Sequence, residues 1–316
     1  MPEASGIERL GRVRLRGHPS EAMDLSAAGI VGDLLVVAGD EADRLLVFRR
    51  EGDDYRLLPD CDVVLNDRLA EADIEGIACE GDLVHAIGSH SRKRPKPKPA
   101  DSREANLARL ETIGPPDPAR DVLVRFRLAS DGTHSELEAT TLRPAIEADP
   151  ILGPFAAIPC KENGVDIEGL AIRDGVLRVG FRGPVLQRGF VPVLSCRFAS
   201  PIAATESLYL NLGGRGVRDL DRVDDGFLVL AGPVGDVPAS FPVYLWDGGD
   251  CLPGGGQPTG AGRLALLGEI PTPEGGKAEG LVVESESAHD YTALILYDGL
   301  ADGGATRFRI RKPPAP

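Results

Sequence analysis

Hydrophobic positions in this chain come in short bursts, paired across tight polar turns. Leu34-Leu35-Val36-Val37 follows Gly32-Asp33, and Leu83-Val84-His85-Ala86-Ile87 follows Glu80-Gly81-Asp82. Val176-Leu177-Arg178-Val179 follows Arg173-Asp174-Gly175, and Phe227-Leu228-Val229-Leu230 follows Asp225-Gly226. Tyr291-Thr292-Ala293-Leu294-Ile295-Leu296 follows a longer turn. A second apolar run precedes each burst, so the predicted unit is strand, Gly/Asp turn, strand: a hairpin.

The runs before the turns echo one another. Asp73-Ile74-Glu75-Gly76-Ile77-Ala78, Asp166-Ile167-Glu168-Gly169-Leu170-Ala171 and Lys277-Ala278-Glu279-Gly280-Leu281-Val282 carry Glu-Gly into an apolar strand. Two weaker copies fit the same frame. In Asp24-Leu25-Ser26-Ala27-Ala28, Ser26 takes the glutamate place; in Arg218-Asp219-Leu220-Asp221, Asp219 is assigned to it. A third strand is readable after each hairpin: Arg44–Phe48, Asp121–Phe126, Val191–Leu194, Pro242–Trp246 and Arg307–Ile310. Glu136–Thr140 and Ser207–Leu210 are candidate fourth strands.

Radial repetition of such a unit predicts an all-β fold, a single β-propeller over residues 1–316 with about five four-stranded blades. A sixth blade fits only if an irregular segment hides it. The strand Gly11–Leu15 is expected to pair with the C-terminal strand and close the ring, which removes two sheet edges. A β-sandwich alternates similarly but has no reason to repeat Glu-Gly.

The spacing from Asp73 to Asp166 is too long for one blade. It contains Arg92-Lys93-Arg94-Pro95-Lys96-Pro97-Lys98-Pro99, whose alternating prolines favour an extended polyproline segment over a sheet. Residues 92–120 therefore read as an insertion in the second blade, with a short helix over Ser102–Thr112. Residues 144–160 read as an irregular or partly helical connection. An insertion on a propeller face can act as a lid; a solvated loop is the default expectation.

Composition supports many short strands: 42% hydrophobic residues with 39 glycines and 26 prolines. The net charge of −14 argues against nucleic-acid binding, because phosphate contacts need a basic face. No apolar run reaches the roughly 18 residues of a membrane helix. The N-terminal residues carry no basic and apolar secretion signal. Five cysteines without close pairing complete the expectation of a reduced, cytoplasmic protein.

In a propeller the residues leading into each inner strand gather at one mouth of the central channel, with the loops leaving the second strands. That mouth is expected to hold Asp24, Asp73, Glu75, Asp166, Glu168, Asp219 and Glu279 beside His90, Arg92, Arg182, Arg215, Arg218 and Lys277. Carboxylates brought together must pair with cations, hold protons or bind a metal. Oxygen ligands without a Cys/His set favour Ca²⁺ or Mg²⁺, with Asp73, Glu75, Asp166 and Glu168 as the ligand set. Arginine forks suit phosphate or carboxylate, which assigns Arg92, Arg182, Arg215, Arg218, Lys277 and Glu279 to ligand binding. Glu75, Glu168 and His90 are the catalytic candidates. For Glu75 and Glu168 a structural role, accepting backbone N–H groups from the neighbouring blade, stays open. For Asp24 and Asp219 it is the preferred reading.

The Asp166–Ala171 element, then Phe181-Arg182-Gly183-Pro184, then Gly214-Arg215-Gly216-Val217-Arg218-Asp219-Leu220, resembles a bacterial family known only as a domain of unknown function. The element Asp-x-Glu-Gly-Ile/Leu-Ala is also similar to phytase-like and esterase-like propellers. That second resemblance implies a divalent-metal-dependent hydrolase of phosphoesters. The alternative is a non-catalytic propeller that binds a small anionic ligand or a protein partner at the same mouth. The oligomeric state is not legible.

Overall fold

In a computed structural model, residues 6–17, 25–39, 43–65, 72–202, 205–235, 239–256 and 260–314 are described. Asp24 and the loop residues Asp40 and Glu41 lie outside them. The chain opens with β1 (Ile7–Arg12) and β2 (Leu15–Arg16). Blade one follows as β3 (Leu25–Val31), β4 (Leu34–Gly39), β5 (Arg44–Glu51) and β6 (Asp54–Leu57), with β7 (Val63–Val64) paired on β5. Blade two is β8 (Ile74–Glu80), β9 (Leu83–Gly88), β10 (Leu123–Arg127) and β11 (Glu138–Thr140). Helix α1 (Arg103–Glu111) interrupts it between β9 and β10, and α2 (Arg143–Ala148) follows β11. Blade three is β12 (Asp166–Arg173), β13 (Val176–Gly183), β14 (Phe190–Cys196) and β15 (Thr205–Asn211). Blade four is β16 (Gly216–Val223), β17 (Gly226–Gly232), β18 (Phe241–Trp246) and β19 (Leu264–Ile270). Blade five is β20 (Lys277–Glu286), β21 (Asp290–Asp298), β22 (Thr306–Arg311) and, as its fourth strand, β1.

The protein is thus an all-β propeller of five blades, closed by its N-terminal strand. The closing strand lies earlier than Gly11–Leu15: Ile7 pairs with Ile310 and Glu8 with Arg309. Past a register shift between Arg9 and Gly11 the pairing continues to Arg12 with Thr306, and Leu15–Arg16 then runs parallel to β6 of blade one. One short segment therefore ties the last blade to the first. The fourth strands β6 and β19, with mixed burial, carry no strong pattern in the sequence. The helix predicted at Ser102–Thr112 forms over Arg103–Glu111, where the Ser102 hydroxyl caps it by accepting from the Ala105 N–H at 3.2 Å.

The core is a set of wedges between adjacent blades. In β4, Leu34 and Val36 pack with Ile77, Val84 and Phe126 of blade two, while Leu35 and Val37 pack with Val282, Leu294 and Leu296 of blade five. In β17, Leu228 and Leu230 meet Leu281 and Ile295 of blade five, while Phe227, Val229 and Ala231 meet Val191 and Val193 of blade three. Successive side chains of a strand point to opposite faces. Both faces of these strands are covered, which is why they read as apolar runs rather than alternations.

The glycine of the Glu-Gly motif has a packing reason. A Cβ added at Gly76 would stand 2.7 Å from Leu170 Cβ and 2.9 Å from Leu170 N, on the inner strand of the next blade. One added at Gly169 would stand 3.1 Å from backbone atoms of Asp219 and Leu220. Inner strands approach this closely only where one of them lacks a side chain. Gly76→Val is expected to cost about 1–3 kcal/mol through overpacking. The urea midpoint of the purified variant measures it.

Polar side chains latch the same ring. Ser26 donates to the Ile74 carbonyl at 2.5 Å. Asp219 accepts from Leu281 N at 2.6 Å, and Asp221 accepts from Val283 N at 2.7 Å. Glu80 accepts from Asp174 N at 2.7 Å and Gly175 N at 3.0 Å. Asp219 therefore has the structural role, with its carboxyl pushed up by burial.

Candidate functional site

The Glu-Gly motif works by a β-bulge. At the motif position of all five inner strands the ladder skips a residue: Ser26, Glu75, Glu168, Arg218 and Glu279. A bulged residue is released from the pleat and re-aimed. Four of the five, Glu75, Glu168, Arg218 and Glu279, line one cavity at the mouth of the channel, with a volume of about 1160 Å³. The bulge corrects the fourth copy: Arg218 stands in the glutamate place and Asp219 in the glycine place. The apolar frame carried that signal, since Val217 and Leu220 align with Ile167 and Leu170.

The cavity floor is a chain of alternating charges. Arg182 leaves the end of β13 and donates from Nε to Asp166 Oδ2 at 2.7 Å. Its Nη1 lies 2.5 Å from Glu168 Oε1. Arg218 Nη1 lies 2.8 Å from Glu168 Oε2, and its Nη2 pairs with Glu279 Oε1. The sequence Asp166–Arg182–Glu168–Arg218–Glu279 thus draws on blades three, four and five. Its carboxylates are buried, and so is Arg218. Burial pushes the Glu168 carboxyl up to about 8, outweighing the pull of both guanidiniums. Burial also raises Asp166 and Glu279 against the same pull. Three carboxyls face two guanidiniums, so a proton held within the chain reduces the imbalance.

Asp73 belongs to a neighbouring cluster on the cavity wall. It accepts from Arg120 Nη1 at 2.7 Å and Ser89 Oγ at 2.5 Å, with Lys93 Nζ at 3.4 Å. Arg120, buried at the end of the insertion, was not singled out in the sequence; nothing in its surroundings there marks it. Glu75 is half-buried on the floor and acts on the charges of both Arg182 and Arg218. Lys277 is exposed at the start of β20, with Nζ 3.3 Å from Asp298 Oδ2.

Three predicted residues are placed elsewhere. Buried His90 donates from Nδ1 to the Gly88 carbonyl at 2.8 Å and accepts at Nε2 from Leu142 N at 3.1 Å. Burial pushes it down to about 4, so it is a neutral structural tie to the segment ahead of α2. Arg215 donates from Nη2 to Ser240 Oγ at 2.9 Å, on the loop before β18, and does not line the cavity. Arg92 does not line it either; its carbonyl accepts from Cys160 N at 3.0 Å.

The insertion is a wall of the cavity rather than a free solvated loop. Lys93, Arg94, Pro95, Lys96 and Pro97 line it, with Leu110 and Gly114. Arg94 anchors this strap by a two-pronged pair with Glu162, the Nη2 contact being 3.0 Å, and by bonds to the Leu110 and Thr112 carbonyls. Helix α1 buries none of its own side chains, so the strap is held chiefly by these polar ties.

A Ca²⁺ or Mg²⁺ ion needs several carboxylate oxygens facing one point. Here Asp166, Glu168 and Glu279 face guanidiniums, and Asp73 faces Arg120 and Lys93. Among the described residues no group of three or more His, Cys, Asp or Glu side chains could hold a metal ion. The residues present do not fit the expected ion. No helix among the described residues is long and apolar enough to cross a membrane.

Residues 24–307 match the sequence profile of a family described as protein of unknown function, DUF3616. The chain belongs to that family. The DUF3616 match spans all five inner strands and the strap, and agrees with the resemblance carried by Asp166–Ala171, Phe181–Pro184 and Gly214–Leu220. No curated protein matches the chain. Among solved structures it is similar to the glutaminyl cyclase of Myxococcus xanthus, at 8% identity and TM-score 0.49, covering 97% of this chain and 95% of that one. It is also similar to a luciferin-regenerating enzyme, at 8% identity and TM-score 0.43, covering 98% and 95%. A chain of a nidogen/laminin complex is similar at 9% identity and TM-score 0.42, covering 92% and 86%.

Proposed function

We propose that this DUF3616 propeller binds a small anionic organic ligand in the mouth cavity, without a resident metal. The observation that carries the reading is the cavity itself. Its volume of about 1160 Å³ lies just above the range usual for a small-molecule site, roughly 300–1,000 Å³. Lys93, Lys96, Lys161 and Lys277 line it, all exposed, and Pro95, Pro97, Leu110, Pro159 and Phe241 supply apolar wall. Lysine stems can cover a ligand while their heads meet its charge.

Metal-dependent phosphoester hydrolysis is the weaker reading, because three of the four acids assigned to the metal, Asp73, Asp166 and Glu168, are engaged by arginine and lysine. Calorimetric titration with inorganic phosphate, p-nitrophenyl phosphate and simple carboxylates separates the two. Saturable binding that EDTA leaves unchanged is expected. The double charge reversal Lys96→Glu/Lys161→Glu should weaken it by about tenfold or more, ~1.4 kcal/mol. Turnover of p-nitrophenyl phosphate that appears only with added Ca²⁺ or Mg²⁺ would overturn the proposal in favour of the hydrolase.

A further inference from the structure

The two ends of the mouth cavity have opposite character. Lysines stand at the rim. The floor presents Glu75, Glu168 and Glu279, and the two arginines beside them are already committed to carboxylates. An anion pushed to that floor would have to displace Glu168 or Glu279 from buried guanidiniums. It would also meet the charge of Glu75.

Counting charge along the chain sharpens the point. Asp166, Glu168 and Glu279 are three acids, and Arg182 and Arg218 are two bases. Asp73 on the wall faces two cations of its own, Arg120 and Lys93. Within the chain Asp166–Arg182–Glu168–Arg218–Glu279, acids therefore outnumber bases by three to two. The geometry at its centre is also incomplete. Glu168 is 2% exposed, yet its Oε2 accepts no hydrogen bond. The Arg218 Nη1 lies 2.8 Å away, in ion-pair range but misaligned for donation. A buried carboxylate oxygen left this way is costly unless another donor reaches it.

We infer that the ligand is a zwitterion: its positively charged nitrogen meets the carboxyls of Glu75, Glu168 and Glu279 on the floor, and its anionic group meets the rim lysines. This rests on the reading that the mouth cavity holds a ligand. An ammonium group supplies both missing parts, a positive charge and N–H donors for Glu168 Oε2. In the empty cavity a proton on the buried acid chain supplies the charge instead. The ligand nitrogen therefore displaces that proton on binding.

The experiment is calorimetry with a graded series of ω-amino carboxylates and ω-amino alkyl phosphates, each beside its des-amino counterpart. Titrations run at neutral pH in buffers of differing ionisation enthalpy. The zwitterions are expected to bind about tenfold or more tightly than their counterparts, ~1.4 kcal/mol. About one proton should be released per zwitterion bound and none by the des-amino compounds. Glu168→Gln should remove the preference and the proton release together. Glu75→Gln, at a half-buried position, should narrow the preference if Glu168→Gln does not fold. Equal affinity within pairs, without proton release, overturns the inference and leaves the anion-binding mouth standing. Binding by neither class, or binding untouched by Lys96→Glu/Lys161→Glu, overturns the mouth reading and the inference with it.

Discussion

Arg218→Met is expected to destabilise the folded protein by about 3–5 kcal/mol, the range for removing one partner of a buried ion pair. Arg218 is 3% exposed and joins Glu168 of blade three to Glu279 of blade five. Without it, three buried carboxyls share Arg182 alone. Desolvated charge of one sign then accumulates where the inner strands meet, and the blades lose the cation between them. The urea midpoint of the variant reads the loss. Adding Glu279→Gln removes one of the stranded acids, so the double variant should be more stable than the sum of the single changes implies, by about 0.5–3 kcal/mol. Strict additivity would show that the chain is not energetically continuous. A control lies on the surface: Arg263 pairs with Asp247 but its side chain is 77% exposed. Arg263→Met should cost no more than about 1 kcal/mol.

How much of this was legible depends on which physical rule wrote each part. The Gly/Asp turns and apolar runs gave away the hairpins, because strands covered on both faces must be apolar throughout. The Glu-Gly echo gave away the ring, because Gly76 and Gly169 must admit a neighbouring strand at every blade-to-blade contact they make. Strands β6 and β19 were harder. They are outer strands with mixed burial, as in Asp54-Tyr55-Arg56-Leu57, and need no strong pattern. The mouth was legible as a gathering of acids and arginines, but not as a sequence of contacts. Arg218 and Asp219 are adjacent, and the bulge turns Arg218 to the channel while Asp219 accepts from Leu281 on the next blade; in the sequence only the frame of Val217 and Leu220 carries that distinction. His90 and Arg215 sit in loops rich in polar and glycine residues, as functional residues often do. Their partners, Leu142 and Ser240, are remote in sequence and could not be inferred from spacing. The Lys-Pro strap has no sheet to join, and what makes it a wall is Arg94 meeting Glu162, 68 positions away.

The stability of this protein is expected to fall as pH rises from about 7.5 to about 8, above the titration of free histidine. The buried Glu168 carboxyl is pushed up to about 8, so it keeps its proton in the folded state when the unfolded chain has already lost it. The folded state then binds more protons than the unfolded, and stability declines with pH. The contribution is complete below the ordinary glutamate range and is lost as pH passes through about 8. Asp166, Glu279 and Asp219, also raised by burial, act in the same direction. Asp221, pushed up to about 6, adds to the slope mainly on the acid side of the window. Two histidines oppose it there: burial pushes His85 and His90 down to about 4, which makes stability rise with pH until free histidine has lost its proton, about a unit above its midpoint near 6.5. Above about pH 7.5 their opposition has faded. Stopping at pH 8 also limits the part of the cysteines: desolvation raises the thiols of Cys79, Cys160, Cys196 and Cys251, which add their own decline at higher pH. Within the window each proton retained contributes a slope of up to about 1.4 kcal/mol per pH unit. Urea unfolding at fixed ionic strength across that range measures it. Glu168→Gln should flatten the slope, because an amide has no proton to lose. A wild-type slope near zero would mean that Asp166, Glu168 and Glu279 are all ionised beside Arg182 and Arg218, and that the imbalance of charge on the cavity floor is carried without a proton.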